Sequence, residues 1–294
     1  MKHTFVIAVF AFALACGGSP QDASPPPAPA GPAAGPGIAA APDGVSIAYT
    51  VSGTGSPVLV FIHGWMCDQT YWAAQAASFS ETHTVVTIDL AGHGESGMER
   101  EGWPLMAFGA DIEAVVEALD LDQVILIGHS MGGPVVLEAA RLMPKRVLGV
   151  VGVDTLQDAD HKYDPEEMAP FLAAFESDFP GRCRSLVASM FLEEADPALV
   201  ERIAADMSAG TPEIGIALLR GYIDYDAAAA FTSVPVAIPI RCINSTMYPS
   251  NVESNRAYHE DFDVVEMDGV GHFLMIERPE EFNALLEQII ASIN

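Results

Sequence analysis

The segment Ile127-Gly128-His129-Ser130-Met131-Gly132-Gly133 constrains this chain more than any other. It follows the apolar run Val124 to Ile127 and precedes a helical pattern, Pro134 to Met143, so a serine stands at a sharp strand-to-helix turn. Such a turn strains the serine backbone, and side chains two positions either side would collide with the strand and helix it joins, which explains the glycines. A chance G-x-S-x-G in a Gly-rich chain would not bring the buried strand and the following helix with it. Ser130 is therefore read as a serine held out for nucleophilic attack.

The rest of the chain alternates. Val45 to Val51, Val58 to Ile62, Val85 to Ile88, Val124 to Ile127 and Val147 to Val153 read as strands, and Leu105 to Leu119 carries helical spacing with Ile112, Val115, Val116 and Leu119 on one face. Near-continuous apolar strands between helices imply a mostly parallel sheet covered on both faces. Between Thr155 and Ser233 the alternation stops. Helix-like runs carry Phe171, Phe175, Phe179, Met190, Phe191, Leu218, Leu219 and Tyr222, as a helical cap inserted into a sheet domain would. Most of these side chains are expected to pack among the cap's own helices, and any facing the serine would line an apolar pocket. The sheet pattern resumes at Ile238 to Ile243 and Phe262 to Met267, and a helix from Pro279 to Ile290 closes it.

The amino-terminal part is of another kind. Met1-Lys2-His3 followed by apolar Thr4 to Ala15 reads as a signal peptide, too short to span a bilayer, in residues 1–15. It ends at Ala13-Leu14-Ala15-Cys16, which resembles a bacterial lipobox, so Cys16 is the expected lipid anchor; secretion after an A-x-A-like site, with Cys16 incidental, is the alternative. Residues 16–42 are rich in Pro, Ala, Gly and Ser and are expected to form an extended tether. The expected organisation is thus a core of residues 43–154 and 234–294 with a cap of residues 155–233. These features predict an exported protein, attached to a membrane only through the lipid, facing the periplasm or cell exterior.

A formal net charge of −27 argues against nucleic acid as a partner and disfavours lying flat on anionic lipid. Apart from Cys16, the cysteines are Cys67, Cys183 and Cys242, whose spacing matches no metal motif and leaves room for one disulfide whose pair the sequence does not choose.

Four signatures in order, His63-Gly64-Trp65, Asp89-Leu90-Ala91-Gly92-His93-Gly94-Glu95-Ser96, the turn around Ser130, and Gly271-His272-Phe273, make the chain from about Asp43 onward resemble the α/β-hydrolase fold. The resemblance implies a serine esterase-like enzyme. Its nucleophile would be Ser130 and its base His272, while the backbone N–H groups of Trp65 and Met131 would form the oxyanion hole. His63 and His93 belong to turn motifs found across the fold, and His129 is the variable position of the elbow.

The third catalytic member departs from the usual pattern. After Ile238 to Ile243 the chain continues Asn244-Ser245-Thr246-Met247-Tyr248-Pro249 without a carboxylate. Some relatives place the acid one strand earlier, where Asp154 ends Val147 to Val153, in the chain order serine, acid, histidine; Glu253, on an expected helix, is the other candidate. Asp89 precedes the elbow and is expected to brace its own turn.

The expected reaction is acyl transfer on a small, mainly apolar ester substrate, with no cofactor and no metal implied. A serine at the elbow argues against dehalogenases and epoxide hydrolases, which use aspartate there. The absence of a His-Gly-Gly-Gly or His-Gly-Gly-Pro-Gly run argues against the lipase branch with that loop and against proline iminopeptidases. Relatives that perform perhydrolysis or cleave carbon–carbon bonds share the triad. An inactive tethered binding protein of the same fold is the rival from another class. Neither oligomeric state nor natural substrate is legible.

Overall fold

The computed structural model describes residues 31–293, so the signal peptide, the lipobox and Cys16 lie outside the described residues. Eight strands form one sheet: β1 (Gly35–Ala40), β2 (Ser46–Ser52), β3 (Val58–Ile62), β4 (Val85–Ile88), β5 (Val124–His129), β6 (Val147–Val153), β7 (Ile240–Ser245) and β8 (Phe262–Met267). Their spatial order is β1-β2-β4-β3-β5-β6-β7-β8. β1, β2 and β4 pair antiparallel, and every pairing from β4 through β3 to β8 is parallel.

The central strands are buried throughout: every residue of β3, β4 and β5 is buried, as a parallel sheet covered on both faces requires. Helices α1 (Ala73–Phe79), α2 (Leu105–Ala118), α3 (Gly132–Leu142) and α11 (Pro279–Ile293) supply that cover, with α2 packed on α3 and α1 on α11. The architecture is the α/β-hydrolase fold expected from the sequence.

One expectation is overturned. The tether does not extend to residue 42, because Gly35–Ala40 forms β1, paired in register with Ser46–Val51. The Gly-Pro-Gly-Ile-Ala-Ala sequence was too small and Pro-rich to read as a strand, but it sits at a sheet edge, where a proline is tolerated. Its small residues have a packing reason as well, since a Cβ on Gly37 would fall 2.4 Å from the Tyr49 ring.

Between β6 and β7 the chain runs through five helices: α4 (Pro165–Ser177), α5 (Phe179–Ser189), α6 (Pro197–Ser208), α7 (Pro212–Ile223) and α8 (Ala227–Ser233). Their starts are written in the sequence. Asp164, Asp178, Asp196 and Asp226 each accept a backbone N–H in the first turn of α4, α5, α6 and α8, and prolines open α4, α6 and α7. After β7 come α9 (Val252–Tyr258), β8 and the single turn α10 (Leu274–Glu277). Among the described residues no helix is long and apolar enough to cross a membrane.

Candidate active site

The carboxyl ends of the parallel strands face one edge of the sheet, and the loops that carry the candidate residues leave from there. β5 ends at His129, and Ser130 follows with φ 52°, a left-handed conformation that costs a non-glycine residue energy and that the surrounding elements must hold. Ser130 N–H donates to Val153 O on β6 at 3.0 Å, and Thr155 Oγ1 donates to Ser130 O at 2.8 Å. The flanking glycines are obligatory: a Cβ on Gly128 would lie 2.3 Å from Gly132 O, and one on Gly132 would lie 2.8 Å from Ile62 O. Both obstacles are backbone and cannot rotate away.

Asp154 follows β6, also with positive φ (45°), and is 2% exposed. Its Oδ2 accepts His272 Nδ1–H at 2.5 Å and its Oδ1 accepts Ser245 N–H at 2.8 Å, so both carboxylate oxygens are engaged. His272, on the loop after β8, is held by its own backbone, its N–H donating to Met190 O at 2.8 Å and its C=O accepting from His129 Nε2–H at 3.0 Å. Glu277 on α10 accepts Gly271 N–H. Glu253 projects from α9 at the surface, away from this constellation, whereas Asp154 is joined to the imidazole.

The place at the end of β7 where a carboxylate was sought is filled by Asn244 and Ser245. Asn244 accepts Thr155 N–H at 3.2 Å and donates back to Thr155 O at 3.0 Å, which ties β7 to the residue bonded to Ser130. Ser245 gives its N–H to Asp154 and its hydroxyl to Val270 O at 2.7 Å, two residues before His272. Sequence reasoning registered these residues only as a missing acid. The signal was available, since two buried polar residues ending a parallel strand need partners nearby.

A further loop follows β3. His63 Nδ1–H donates to Gly64 O at 2.8 Å, leaving Nε2 to accept Leu90 N–H at 2.9 Å. His93 Nδ1–H likewise donates to Ala91 O, and its Nε2 accepts Met66 N–H at 3.3 Å. Burial pushes both imidazoles down, to about 4 for His63 and about 3 for His93, so they are neutral braces. Burial, with His272 adjacent, also holds His129 well below the usual histidine value. Asp89 accepts Gln69 N–H, Gln69 Nε2–H and Glu95 N–H, bracing its turn. Gly64 lets the loop abut the serine, because a Cβ there would lie 3.1 Å from Ser130 Cβ. The N–H groups of Trp65 and Met131 have no acceptor within the protein among the described residues.

Trp65, Ser130, Met131, Asp154 and His272 all line one cavity of about 720 Å³, roofed by Phe171, Leu186, Leu219 and Tyr222 of the helical insertion. No Lys or Arg lines it. Cys67, Cys183 and Cys242 are free, buried thiols; burial pushes Cys183 and Cys242 up to about 12. Among the described residues no group of three or more His, Cys, Asp or Glu side chains could hold a metal ion.

The comparisons agree with this architecture. A Haemophilus influenzae protein assigned as an esterase/lipase is 41% identical over 100 residues, covering 34% of each chain. The chain thus spans about a third of that relative's length. A non-heme chloroperoxidase of Streptomyces lividans is 38% identical over 126 residues, 42% of this chain and 45% of that one. The solved structure of a bromoperoxidase from Bacillus anthracis superposes with a TM-score of 0.77 at 20% identity, covering 87% of this chain and 99% of that one. The model of the alpha/beta hydrolase family matches residues 59–285, which span the serine turn, the Asp154 strand end and the histidine loop, and the chain belongs to that family.

Proposed function

We propose that the chain is a serine hydrolase that cleaves carboxylic esters of small, mainly apolar substrates through an acyl-enzyme. The observation that carries this reading is the buried bond between His272 Nδ1 and Asp154 Oδ2, at a cavity that Ser130 also lines. With its proton fixed on Nδ1, His272 presents a bare Nε2 as base. Ser130 Oγ attacks the ester carbonyl carbon as its proton passes to Nε2, and the carbonyl oxygen becomes an oxyanion received by the N–H groups of Trp65 and Met131. Asp154 stabilises the imidazolium formed. Collapse of the intermediate breaks the carbon–oxygen bond, and Nε2 returns the proton to the leaving alcohol. Water then attacks the acyl-enzyme by the same route in reverse, releasing the acid and free Ser130.

The largely apolar lining and the absence of Lys and Arg around the cavity favour neutral, mainly apolar acyl or alcohol groups over anionic ones. The names of the chloroperoxidase and bromoperoxidase relatives support a second reaction of the same acyl-enzyme, in which hydrogen peroxide replaces water and a peracid leaves. Anchoring outside the cytoplasm through Cys16 is part of the proposal on sequence grounds alone; an acylated amino-terminal peptide starting at Cys16 in the membrane fraction tests it.

The reaction is tested with p-nitrophenyl esters of increasing chain length. Burst release of one p-nitrophenolate per chain, followed by turnover and abolished in Ser130→Ala, is the expected result. Turnover that survives Ser130→Ala contradicts the proposal.

A further inference from the structure

The loop that carries Trp65 is gripped from the side of the helical insertion as well as from the sheet. The Trp65 indole Nε1–H donates to Gly215 O on α7 at 2.8 Å. The next side chain, Met66, sits in a notch between α6 and α7, where a Cβ on Gly210 would lie 2.6 Å from its Cε and one on Gly215 would lie 2.7 Å from its Sδ. Met66 itself has φ 54°, so the loop is bent into a shape that external contacts must hold. Where the loop ends, in the 3-10 turn Gln69–Trp72, the buried Tyr71 hydroxyl donates to Asp206 Oδ2 on α6 at 2.7 Å. Tyr71 is 4% exposed, and burial beside Cys67 and Asp206 keeps its hydroxyl protonated as a donor.

These contacts join three elements of the insertion to the two loops on which the chemistry depends, because Met190, at the end of α5, also receives His272 N–H. Tyr71 and Trp65 Nε1 are absent from the mechanism above, since neither group meets the reacting atoms. They fix instead where the backbone of the loop lies.

We infer that Tyr71 and Asp206 are positioning residues for the oxyanion hole: the insertion, through Tyr71–Asp206 and Trp65–Gly215, sets the distance between the Trp65 N–H and the carbonyl oxygen bound at Ser130. The inference rests on the proposed role of the Trp65 N–H. An oxyanion donor misplaced by a fraction of an ångström still admits substrate but stabilises the transition state less, so the loss falls on kcat and spares KM.

The test uses the full chain with a saturable p-nitrophenyl ester and a trifluoromethyl ketone, which forms the tetrahedral oxyanion on the serine. Tyr71→Phe and Asp206→Ala are each expected to lower kcat about tenfold with KM within about twofold, and to weaken the ketone by the same factor. Asp206→Asn keeps an acceptor oxygen for the Tyr71 hydroxyl and is expected to stay within about twofold of wild type on both readouts. A role confined to stability would lower Tm and the active fraction without changing ketone affinity per active site, which overturns the inference. Unchanged kcat in Tyr71→Phe, or no recovery in Asp206→Asn, overturns it as well. A wild-type chain that neither turns over esters nor binds the ketone sinks the proposed reaction together with the inference; active wild type with indifferent variants sinks the inference alone.

Discussion

Replacing Asp154 with asparagine exchanges one carboxylate oxygen for an NH2 group and should disable the site. Both carboxylate oxygens act as acceptors, one for His272 Nδ1–H at 2.5 Å and one for Ser245 N–H at 2.8 Å. An amide has only one acceptor oxygen, so one of those two donors must face its NH2 group. Turning the oxygen towards Ser245 presents the NH2 to Nδ1, and the ring can satisfy it only by carrying its proton on Nε2, where it can no longer accept from Ser130. Turning the oxygen towards His272 sets two buried donors against each other at Ser245, at a cost of about 1–3 kcal/mol. The first arrangement is therefore expected. A triad locked in the wrong tautomer loses about 10⁴-fold in kcat in a protease with the same constellation, or roughly 5.5 kcal/mol of transition-state stabilisation. For Asp154→Asn we expect a fall of at least about 10³-fold in kcat for p-nitrophenyl butyrate, with KM nearly unchanged. The companion Glu253→Gln should remain within about twofold of wild type, its parent side chain being a surface group on α9. A folded Asp154→Asn protein retaining more than about a tenth of wild-type kcat would refute the assigned orientation of His272.

Three further outcomes follow from the same coordinates. Met168 and Ile223 line both the main cavity and a neighbouring one of about 300 Å³ between α4 and α7, so Met168→Ala should join the two and move the preferred p-nitrophenyl ester to longer acyl chains; an unchanged chain-length profile would contradict this. Arg100 binds the fully buried Asp111 through two N–H groups, at 2.6 and 2.9 Å, and Asp43 at 2.7 Å, so Arg100→Ala strands a buried carboxylate and should cost about 3–5 kcal/mol in denaturant unfolding. His63 and His93 are buried neutral with folded values near 4 and 3, below the unfolded value of 6.5, so their contribution to stability is complete above about pH 6.5 and falls as acid protonates the unfolded chain. Each loses about 1.4 kcal/mol per pH unit below that point, about 4 kcal/mol for the pair by pH 5. Urea midpoints measured at high salt, to screen the −27 charge, should drop accordingly, and a flat profile would contradict the neutral assignment.

Most of the frame was legible because it depends on local pattern. β3, β4 and β6 begin and end where apolar runs do, since strands buried on both faces need only be apolar and bounded. The elbow was legible because Gly128 answers to the backbone of Gly132 four positions on, within one strand-turn-helix pattern, although Gly132 itself answers to Ile62 O on β3. Asp154 was harder. Its identity as the partner of His272 depends on a contact across 118 positions, and an acid at a strand end serves structure equally well. β1 was missed for the complementary reason, its strand character coming from pairing with Ser46–Val51 and from the Tyr49 ring above Gly37 rather than from its own side chains. The grip of the insertion on the Trp65 loop was invisible in the same way, because Trp65 and Gly215 stand 150 positions apart.

The most direct test of a serine activated by His272 is labelling with a fluorophosphonate, located by peptide mass spectrometry. One adduct per chain on Ser130, formed at a rate that falls by orders of magnitude in His272→Ala, is the predicted result. No adduct on Ser130, or labelling of His272→Ala at the wild-type rate, would contradict it.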